Sequence, residues 1–265
     1  MAGLRMTGRT DTGMVREHNE DCFLVLPEQG LAVLADGMGG HLAGEVASAM
    51  AIDRVTTFMM SAFRQAGATP PAPVEGLAFE TYALSDAVQS ANASIHQGSY
   101  GNSDQSGMGT TVVAAAFHGQ TVSVAHVGDS RMYRLRGADL NQLTADHSMV
   151  QELLRRGLMT PEEARTSPNK NFVTRALGIE AKAEVDVAEH PVEPGDTYLI
   201  CSDGLTDVLL DEEIRDILLA FGGDLDKASE ALVAEANARG GPDNVSVILI
   251  RAEGPFHRSP PTGVA

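Results

Sequence analysis

The chain has 265 residues and a formal net charge of −17 at pH 7, with 36 acidic residues against 19 Lys and Arg. So acidic a composition argues against a general nucleic-acid binder or a binder of anionic membranes, because both ligands select Lys and Arg. Hydrophobic residues make up 43% of the chain, which is enough for a sizeable core in one large domain or two small ones.

Short apolar runs predict a β-hairpin near the N-terminus, with strands over residues 22–26 and 31–35 joined by Pro-Glu-Gln-Gly. Two amphipathic helices are predicted next, over residues 44–65 and around residues 84–95. Residues 66–75 contain three prolines and are predicted to form a surface loop between these helices.

The middle of the chain is rich in apolar segments that predict strands over residues 111–117, 121–127 and 131–135. Their links are short, so we expect antiparallel neighbours. The remaining predicted elements are a strand over 198–201, helices over 211–221 and 225–239, and a buried strand over 245–250. Hairpins and helices in separate runs predict one mixed, largely antiparallel layered domain rather than a doubly wound fold.

The sequence shows no sign of a targeting or membrane segment. No apolar run of about 18 residues occurs, and residues 1–7 lack the apolar part of a secretory signal. The two cysteines, Cys22 and Cys201, are far apart and neither belongs to a C-x-x-C motif, which excludes a disulfide framework and a cysteine zinc site. These features predict a cytoplasmic protein with reduced thiols and no membrane partner.

Most acidic residues lie on helix faces, but one set lies at the ends of apolar strands beside glycine. This set comprises Asp21, Asp36, Asp129, Asp203 and Asp243. A carboxylate near a low-dielectric core needs a partner, yet only Arg16 and Arg131 lie in these stretches, which also hold Glu20 and Asp207. Two divalent cations would supply the charge, and oxygen ligands favour Mg²⁺ or Mn²⁺ over zinc. The residues alone leave an alternative, in which these aspartates cap turns and helices.

Several other catalytic motifs are absent. The sequence lacks the P-loop, the dinucleotide-binding G-x-G-x-x-G, the H-E-x-x-H zinc motif, the G-x-S-x-G nucleophile motif and the EF-hand loop. The strand-end carboxylates are therefore the main candidates for chemistry.

Six short motifs follow one another in an order that resembles the metal-dependent serine/threonine protein phosphatases of the PP2C (PPM) type. They are R-E-H-N-E-D from Arg16, A-D-G-M-G-G-H from Ala35, G-M-G-T-T from Gly107, V-G-D-S-R from Val127, C-S-D-G-L from Cys201 and G-P-D-N-V from Gly241. The resemblance covers about residues 7–251, and the D-G-M-G-G form and short length are similar to the bacterial branch.

The resemblance implies an α+β fold, a single-domain α-β-β-α sandwich in which two antiparallel sheets pack face to face with helices on both outer sides. Residues 1–253 would form this domain and residues 149–178 would form a flap-like segment near the active site. The proline-rich residues 254–265 are predicted to be a disordered C-terminal tail.

The resemblance also implies an activity. The chain would hydrolyse phosphoserine and phosphothreonine by direct attack of a metal-bridging hydroxide, without a phospho-enzyme intermediate. The implied cofactors are two Mn²⁺ or Mg²⁺ ions, with a third, weaker site. The implied partners are phosphorylated proteins, including a bacterial Ser/Thr kinase and its substrates, and we expect a monomer.

By the resemblance, Asp36 would bridge the two metal ions, with the Gly37 carbonyl on one of them. Asp203 and Asp243 would hold one ion, and Asn244 would orient Asp243. The expected catalytic residues are Asp36, as the bridging ligand, and Arg16, which would clamp the substrate phosphate.

The other acids would complete the metal sites by the same resemblance. Glu20 would hold the second ion largely through water, and Asp21 would be a nearby ligand or an outer acid. A third, weaker ion would lie beside three acids: Asp129, Asp203 and Asp207.

One position departs from the family pattern. Many eukaryotic members carry a His directly after the Asp-Gly pair, where this chain has Met38. The general acid for the leaving alkoxide is therefore left open between His41 and a metal-bound water. A purely structural place at the helix entry is the alternative for His41.

Three other features could have a purely structural role instead of a functional one. Arg131 is expected to form a salt bridge with Asp129 or a neighbouring acid, and residues 107–109 are expected to form a tight turn rather than a phosphate-binding loop. The basic patch within residues 149–178 is predicted to shape the choice of phosphopeptide, with an ordinary helical surface as the alternative.

Three functions remain from the sequence: an active phosphatase, a pseudophosphatase that only binds, and a phosphohydrolase of small molecules. No expected ligand position is lost, which favours the first.

Overall fold

A computed structural model describes residues 3–39, 43–67, 71–73, 76–101 and 107–258. Within them, the strands are β1 (Leu4–Asp11), β2 (Asp21–Leu26), β3 (Leu31–Met38), β4 (Gly109–Thr110), β5 (Val112–His118), β6 (Thr121–Val127), β7 (Arg131–Arg136), β8 (Asp139–Gln142), β9 (Asp186–Pro191), β10 (Thr197–Cys201) and β11 (Val245–Ala252). The helices are α1 (Ala43–Ala66), α2 (Phe79–Gly101), α3 (Met149–Arg155), α4 (Pro161–Thr166), α5 (Asp203–Thr206), α6 (Asp211–Ala220) and α7 (Leu225–Ala238). No helix in this part of the chain is both long and apolar enough to cross a membrane.

The strands form two antiparallel sheets. One sheet has the order β1-β11-β10-β7-β8, and the other has the order β2-β3-β5-β6-β9, with β4 pairing beside β3. The register of the β2–β3 hairpin places Asp21 opposite Asp36. Two of the predicted site acids therefore come from adjacent strands.

Successive side chains of the central strands point to opposite faces of their sheet, and this creates three apolar layers. In β3, Leu31 and Val33 face α1 and α2, whereas Leu34 faces the other sheet and packs in one cluster with Ile248 of β11. Helices α6 and α7 cover the outer face of that other sheet through residues such as Leu232. Strands buried on both faces read as continuous apolar runs. The fold is thus an α-β-β-α sandwich, which confirms the predicted class.

The sequence analysis missed four of the described strands: the two-residue β4, and β1, β8 and β9, which lie at the edges of their sheets. An edge strand has one hydrogen-bonded neighbour and keeps much of its surface in solvent, so its residues are polar and its periodicity is weak. The predicted hairpin, the helix over residues 44–65 and the buried strands are confirmed to within three residues at their ends, and the helix predicted around residues 84–95 is longer, at Phe79–Gly101.

The predicted disorder is wrong for residues 254–258 of the tail. Phe256 is buried, and its backbone pairs with Gly119 at the β5–β6 turn. The Arg258 guanidinium lies 3.4 Å from the centroid of the Phe63 ring and pairs with Glu80. One apolar anchor and one cation–π contact hold this segment on the sandwich. Residues 259–265 lie outside the described part of the chain.

Candidate active site

The strand-end acids meet at one end of the two sheets. Asp36 lies near the end of β3, opposite Asp21 of β2. In the other sheet, Asp203 opens α5 after β10, and Asp243 comes two residues before β11. Because β10 and β11 are antiparallel neighbours, the end of one and the start of the other share an edge. The fold thus gathers acids from distant parts of the chain.

Backbone hydrogen bonds fix Asp36. Its N–H donates to Thr111 Oγ1 at 3.2 Å, and its carbonyl accepts from Thr110 Oγ1 and from the Thr111 N–H, both at 2.8 Å. Thr111 Oγ1 also shares a hydrogen bond of 2.8 Å with Ser130 Oγ. The T-T pair of the third motif therefore holds the strand that carries the central acid.

A serine bridge joins the two sheets at Asp21. Ser202 Oγ donates to Asp21 Oδ2 at 2.8 Å and accepts from the Ser246 N–H at 3.0 Å. Asp21 is buried, and its other oxygen, Oδ1, has no hydrogen-bond partner among the described residues. A buried carboxylate oxygen without a partner is costly unless a cation or water meets it.

The acids raise one another's pKa. Burial, with the Asp243 charge adding to it, raises the pKa of Asp21 to about 6. Burial raises the pKa of Asp36 well above its usual range, and Asp21 and Asp203 add to the effect. The pKa of Asp203 is raised in the same way by burial and then by Asp129. Ion pairs between described residues reach Asp243 and Asp207, but none of them involves Asp21, Asp36 or Asp203.

The residues fit hard divalent cations. The donors are carboxylate and carbonyl oxygens, the set that Mg²⁺ and Mn²⁺ prefer. The unpartnered Oδ1 of Asp21 and the mutual repulsion of the neighbouring acids are both relieved by positive charge in their midst.

Two glycines allow the close approach of α1 to the acids. A Cβ at Gly37 would lie 2.1 Å from the Gly44 carbonyl oxygen, and a Cβ at Gly44 would lie 2.6 Å from the Glu20 carboxylate. Glu20 accepts a hydrogen bond from the Gly44 N–H in the first turn of α1. Burial raises the pKa of Glu20, while Arg16 and this N–H oppose the rise. The glycines thus place Glu20 at the positive end of the helix.

Arg16 lies at the rim of the site. Its guanidinium donates to Asp243 Oδ2 at 2.6 Å, and half of its side chain is exposed. The Asn244 side chain accepts from the Glu20 N–H at 2.8 Å and donates to the carbonyls of Thr12 and His18, both at 2.9 Å. The Asn244 backbone N–H, rather than its amide, bonds Asp243 Oδ1 at 2.8 Å. Asn244 therefore holds the loop that carries Arg16 and Glu20.

Asp129 and Asp207 lie on the flap side of the site. Burial and the charge of Asp146 raise the pKa of Asp129 to about 6. Asp207 pairs with Lys170, with an Nζ–Oδ2 distance of 2.8 Å. Arg131 binds Asp146 through two nitrogens at 2.7 and 3.0 Å, so the expected salt bridge to a neighbouring acid is confirmed.

Residues 107–109 form a turn into β4, as expected. Gly107 has a φ of +76°, and Gly109 pairs with Met38 at the end of β3. Met38 carries no exchangeable proton, so it cannot serve as the general acid. His41 lies outside the described residues.

The sequence analysis missed a cluster of His126, His147 and Asp186, whose ligand atoms lie within 4.8 Å of one another. His147 Nδ1 accepts the Gly128 N–H at 3.1 Å, so its neutral ring carries the proton on Nε2, which faces Asp186 at 3.4 Å. The positively charged Arg175 guanidinium contacts both His147 and Asp186. This arrangement supports the turn before Asp129 and disfavours a metal ion. The paired histidines come from distant segments, so no local motif could have revealed them.

A cavity of about 370 Å³ adjoins the acids. Its inner wall contains Asp129, Asp203 and Asp207, and its outer wall contains Leu154, Pro161 and Lys170 of residues 149–178. This segment therefore lies beside the acidic centre, where the sequence analysis expected a flap.

Comparisons with known proteins agree with this geometry. A family model described as protein phosphatase 2C matches residues 14–238. The serine/threonine phosphatase stp of Listeria welshimeri is 42% identical over 245 residues, covering 91% of this chain and 93% of that protein. The crystal structure of the Mycobacterium tuberculosis serine/threonine phosphatase PstP/Ppp has a TM-score of 0.83 and 36% identity, covering 94% of this chain and 99% of that one.

A structure of the PstP catalytic domain in complex with two manganese ions has a TM-score of 0.79 and 36% identity, covering 94% of this chain and 97% of that one. The matches in sequence and in fold extend over nearly the whole chain, and the residues that the family model covers include Asp21, Asp36, Asp129 and Asp203, whereas Asp243 follows them. The chain belongs to the protein phosphatase 2C family and is a protein-serine/threonine phosphatase.

Proposed function

We propose that this phosphatase hydrolyses phosphoserine and phosphothreonine side chains of proteins by direct attack of water on phosphorus, without a phospho-enzyme intermediate. The observation that carries the proposal is the group of facing carboxylates around Asp36, whose pKa is raised by burial and by four neighbouring aspartates. Two Mn²⁺ or Mg²⁺ ions bound there would stabilise the phosphate oxygens and activate a water molecule.

Each acid has a role that its position supports. Asp36 would be a ligand of both ions, since the charges of four other aspartates act on it, and the Gly37 carbonyl would be a ligand of one of them. Asp203 and Asp243 would hold one ion from the edge of the second sheet. Glu20 would hold the other through water, because its carboxylate already accepts a backbone N–H.

The remaining acids would complete the centre. The unpartnered Oδ1 of Asp21 favours a ligand or water contact there. A third, weaker site beside Asp129, Asp203 and Asp207 is supported by the rise in pKa that Asp129 and Asp207 cause at Asp203.

Arg16 would bind the substrate phosphate. Its guanidinium is half exposed and makes its ion pair with one oxygen of Asp243, so it can turn to a phosphate that enters from the rim. A guanidinium donates two parallel hydrogen bonds to phosphate, which an ammonium cannot do. Asn244 would keep Arg16 in reach by holding its loop.

The reaction consumes phosphoserine and phosphothreonine, so a protein kinase must supply the substrates. We place the whole reaction in one domain, residues 1–253, with residues 149–178 as a flap that shapes the choice of phosphopeptide.

The test is hydrolysis of a phosphothreonine peptide by the wild type and by Asp203→Asn, in EDTA, in Mn²⁺ and in Mg²⁺. The expected result is turnover only with added metal, and a loss of at least about 10³-fold in the variant. Asp216→Asn is the matched control, because Asp216 is exposed on α6 and pairs only with Arg215 among the described residues. Turnover in EDTA, or equal turnover by Asp203→Asn, would contradict the proposal.

A further inference from the structure

Within the flap, residues 149–178, the part over residues 149–172 makes few contacts with the sandwich, and Ala164 is the one buried side chain described there, whereas Leu177 near the end of the flap belongs to the core. No side chain of α3 is buried, and Leu158 and Phe172 are 69% and 56% exposed. The ends of the flap are tied by backbone hydrogen bonds from Met149 to Phe172 and from Thr174 to His147. A segment with so little buried apolar surface opens at low free energy unless a polar contact holds it.

One ion pair supplies that contact. Among the described side chains of residues 150–172, Lys170 alone forms an ion pair with the sandwich, since Arg155 and Arg156 pair with Glu152 inside the flap. The Lys170 ammonium lies 2.8 Å from Asp207 Oδ2, with the two side chains 38% and 23% exposed. Both residues line the cavity between the flap and the acids.

The partner of Lys170 belongs to a group of facing acids. Asp207 follows α5 and donates its N–H to the carbonyl of Asp203 at 2.7 Å. The charge of Asp207 raises the pKa of both Asp129 and Asp203. A cation bound at Asp207 is therefore stabilised by the negative charges of Asp129, Asp203 and Asp207 together.

We propose that Lys170 is a positioning residue that acts as the flap's own cation at Asp207, holding the flap over the cavity in competition with a third metal ion. This inference rests on the proposed function of the site, because the third metal ion is part of that proposal. A metal ion bound at Asp207 would repel the positively charged Lys170 ammonium. Lysine suits this exchange, since its long stem lets the ammonium withdraw into water.

The exchange couples cation occupancy to flap position. At low metal concentration the ammonium neutralises Asp207 and the flap is closed. When a third ion binds beside Asp207, the ammonium leaves and the flap loses its ion pair to the sandwich. Metal concentration would thereby control how open the cavity is.

The first test measures Mn²⁺ binding by titration calorimetry in the wild type, Lys170→Gln and Arg156→Gln. Arg156→Gln is the matched control, because it removes one flap charge that pairs only within the flap. Lys170→Gln is expected to tighten the weakest Mn²⁺ site by about two- to fivefold, with the two tighter sites unchanged. An unchanged weakest site, or an equal change in Arg156→Gln, would overturn the competition.

The second test follows the flap by amide hydrogen exchange over residues 149–172. Without metal, exchange is expected to be about two- to fivefold faster in Lys170→Gln and Asp207→Asn than in the wild type, as the loss of a partly exposed ion pair implies. Saturating Mn²⁺ should speed exchange in the wild type and leave Lys170→Gln unchanged. Equal exchange in all three proteins would overturn the role of Lys170.

The two proposals fail separately. Hydrolysis that requires metal, together with a flap that does not respond to Lys170→Gln, would contradict this inference and leave the phosphatase mechanism intact. A metal-responsive flap without peptide hydrolysis would contradict the mechanism and leave the exchange at Asp207 intact.

Discussion

The acidic end of the sandwich and the flap are held by opposite means. Asp36 and Asp21 belong to paired strands, and their neighbours Thr111 and Ser202 bind them from buried positions. The flap has no buried residue in α3, and among the described side chains of residues 150–172 Lys170 forms the one ion pair with the sandwich. Strand ends fix the groups that perform the chemistry, and a loosely attached segment covers them. Substitutions in the two regions should therefore have different consequences.

The largest effect is expected at the centre of the acids. Asp36→Asn removes the charge that four other aspartates face, so kcat on a phosphothreonine peptide should fall by at least about 10³-fold. Steady-state kinetics in Mn²⁺ measure the loss, with circular dichroism to confirm that the variant is folded. Activity within tenfold of the wild type would show that the acids do not act as one centre.

Arg16 tests the rim of the same region. Arg16→Lys keeps the charge but removes the paired donors, so kcat/KM should fall by about 10- to 100-fold, as the loss of a charge-assisted hydrogen bond worth ~1.5–3 kcal/mol implies. Arg9→Lys, on the exposed face of β1, is the control. An equal effect of both variants would mean that Arg16 contributes only to the net charge.

The next prediction concerns the loop that carries Arg16. Asn244→Ala removes three hydrogen bonds from a buried amide, so the free energy of unfolding should fall by about 2–3 kcal/mol. Urea unfolding measures it, and the exposed Asn141→Ala should change stability by less than about 0.5 kcal/mol. A stable Asn244→Ala variant would show that the loop is held elsewhere.

Much of the difference between the acidic end of the sandwich and the flap could be predicted from the sequence, because it follows from local patterns of apolar and acidic residues. The runs around Val33 and Ile248 are apolar on both faces, and the acids directly follow or precede such runs, so strands and site residues could be located together. The Lys170–Asp207 pair and the stacked His126 and His147 have no local signature, since each pair joins segments that only the fold brings together.

The electrostatic strain of the centre gives a smaller, pH-dependent effect. The pKa of Asp21 is about 6 in the folded protein and ~3.9 in the unfolded chain, so the folded state binds more protons between these values. Stability from this group is therefore lost as pH rises through about 6.

Asp21→Asn should remove that loss. In EDTA at pH 7.5 the variant should be more stable than the wild type by about 2 kcal/mol, because the ~3 kcal/mol that the pKa difference implies is partly offset by a weaker hydrogen bond from Ser202, and the difference should shrink towards pH 4.5. Both proteins contain the same buried histidines, so the contribution of these residues to the pH dependence of stability cancels in the comparison. Saturating Mn²⁺ should make the wild type the more stable protein, because it gains more binding free energy from the ions. A variant that is less stable in EDTA at pH 7.5 would contradict the repulsion.

The smallest effect is expected on the flap. Phe172 is 56% exposed on a segment that borders the cavity, so Phe172→Ser should lower kcat/KM for a phosphopeptide by about three- to tenfold through lost apolar contact. Hydrolysis of p-nitrophenyl phosphate should stay within about twofold, since this small substrate does not reach the flap. Leu219→Ser is the control, because Leu219 is 42% exposed on α6 and does not line the cavity beside the acids. An equal loss on both substrates would place Phe172 with the catalytic end, and the two regions would then share one function.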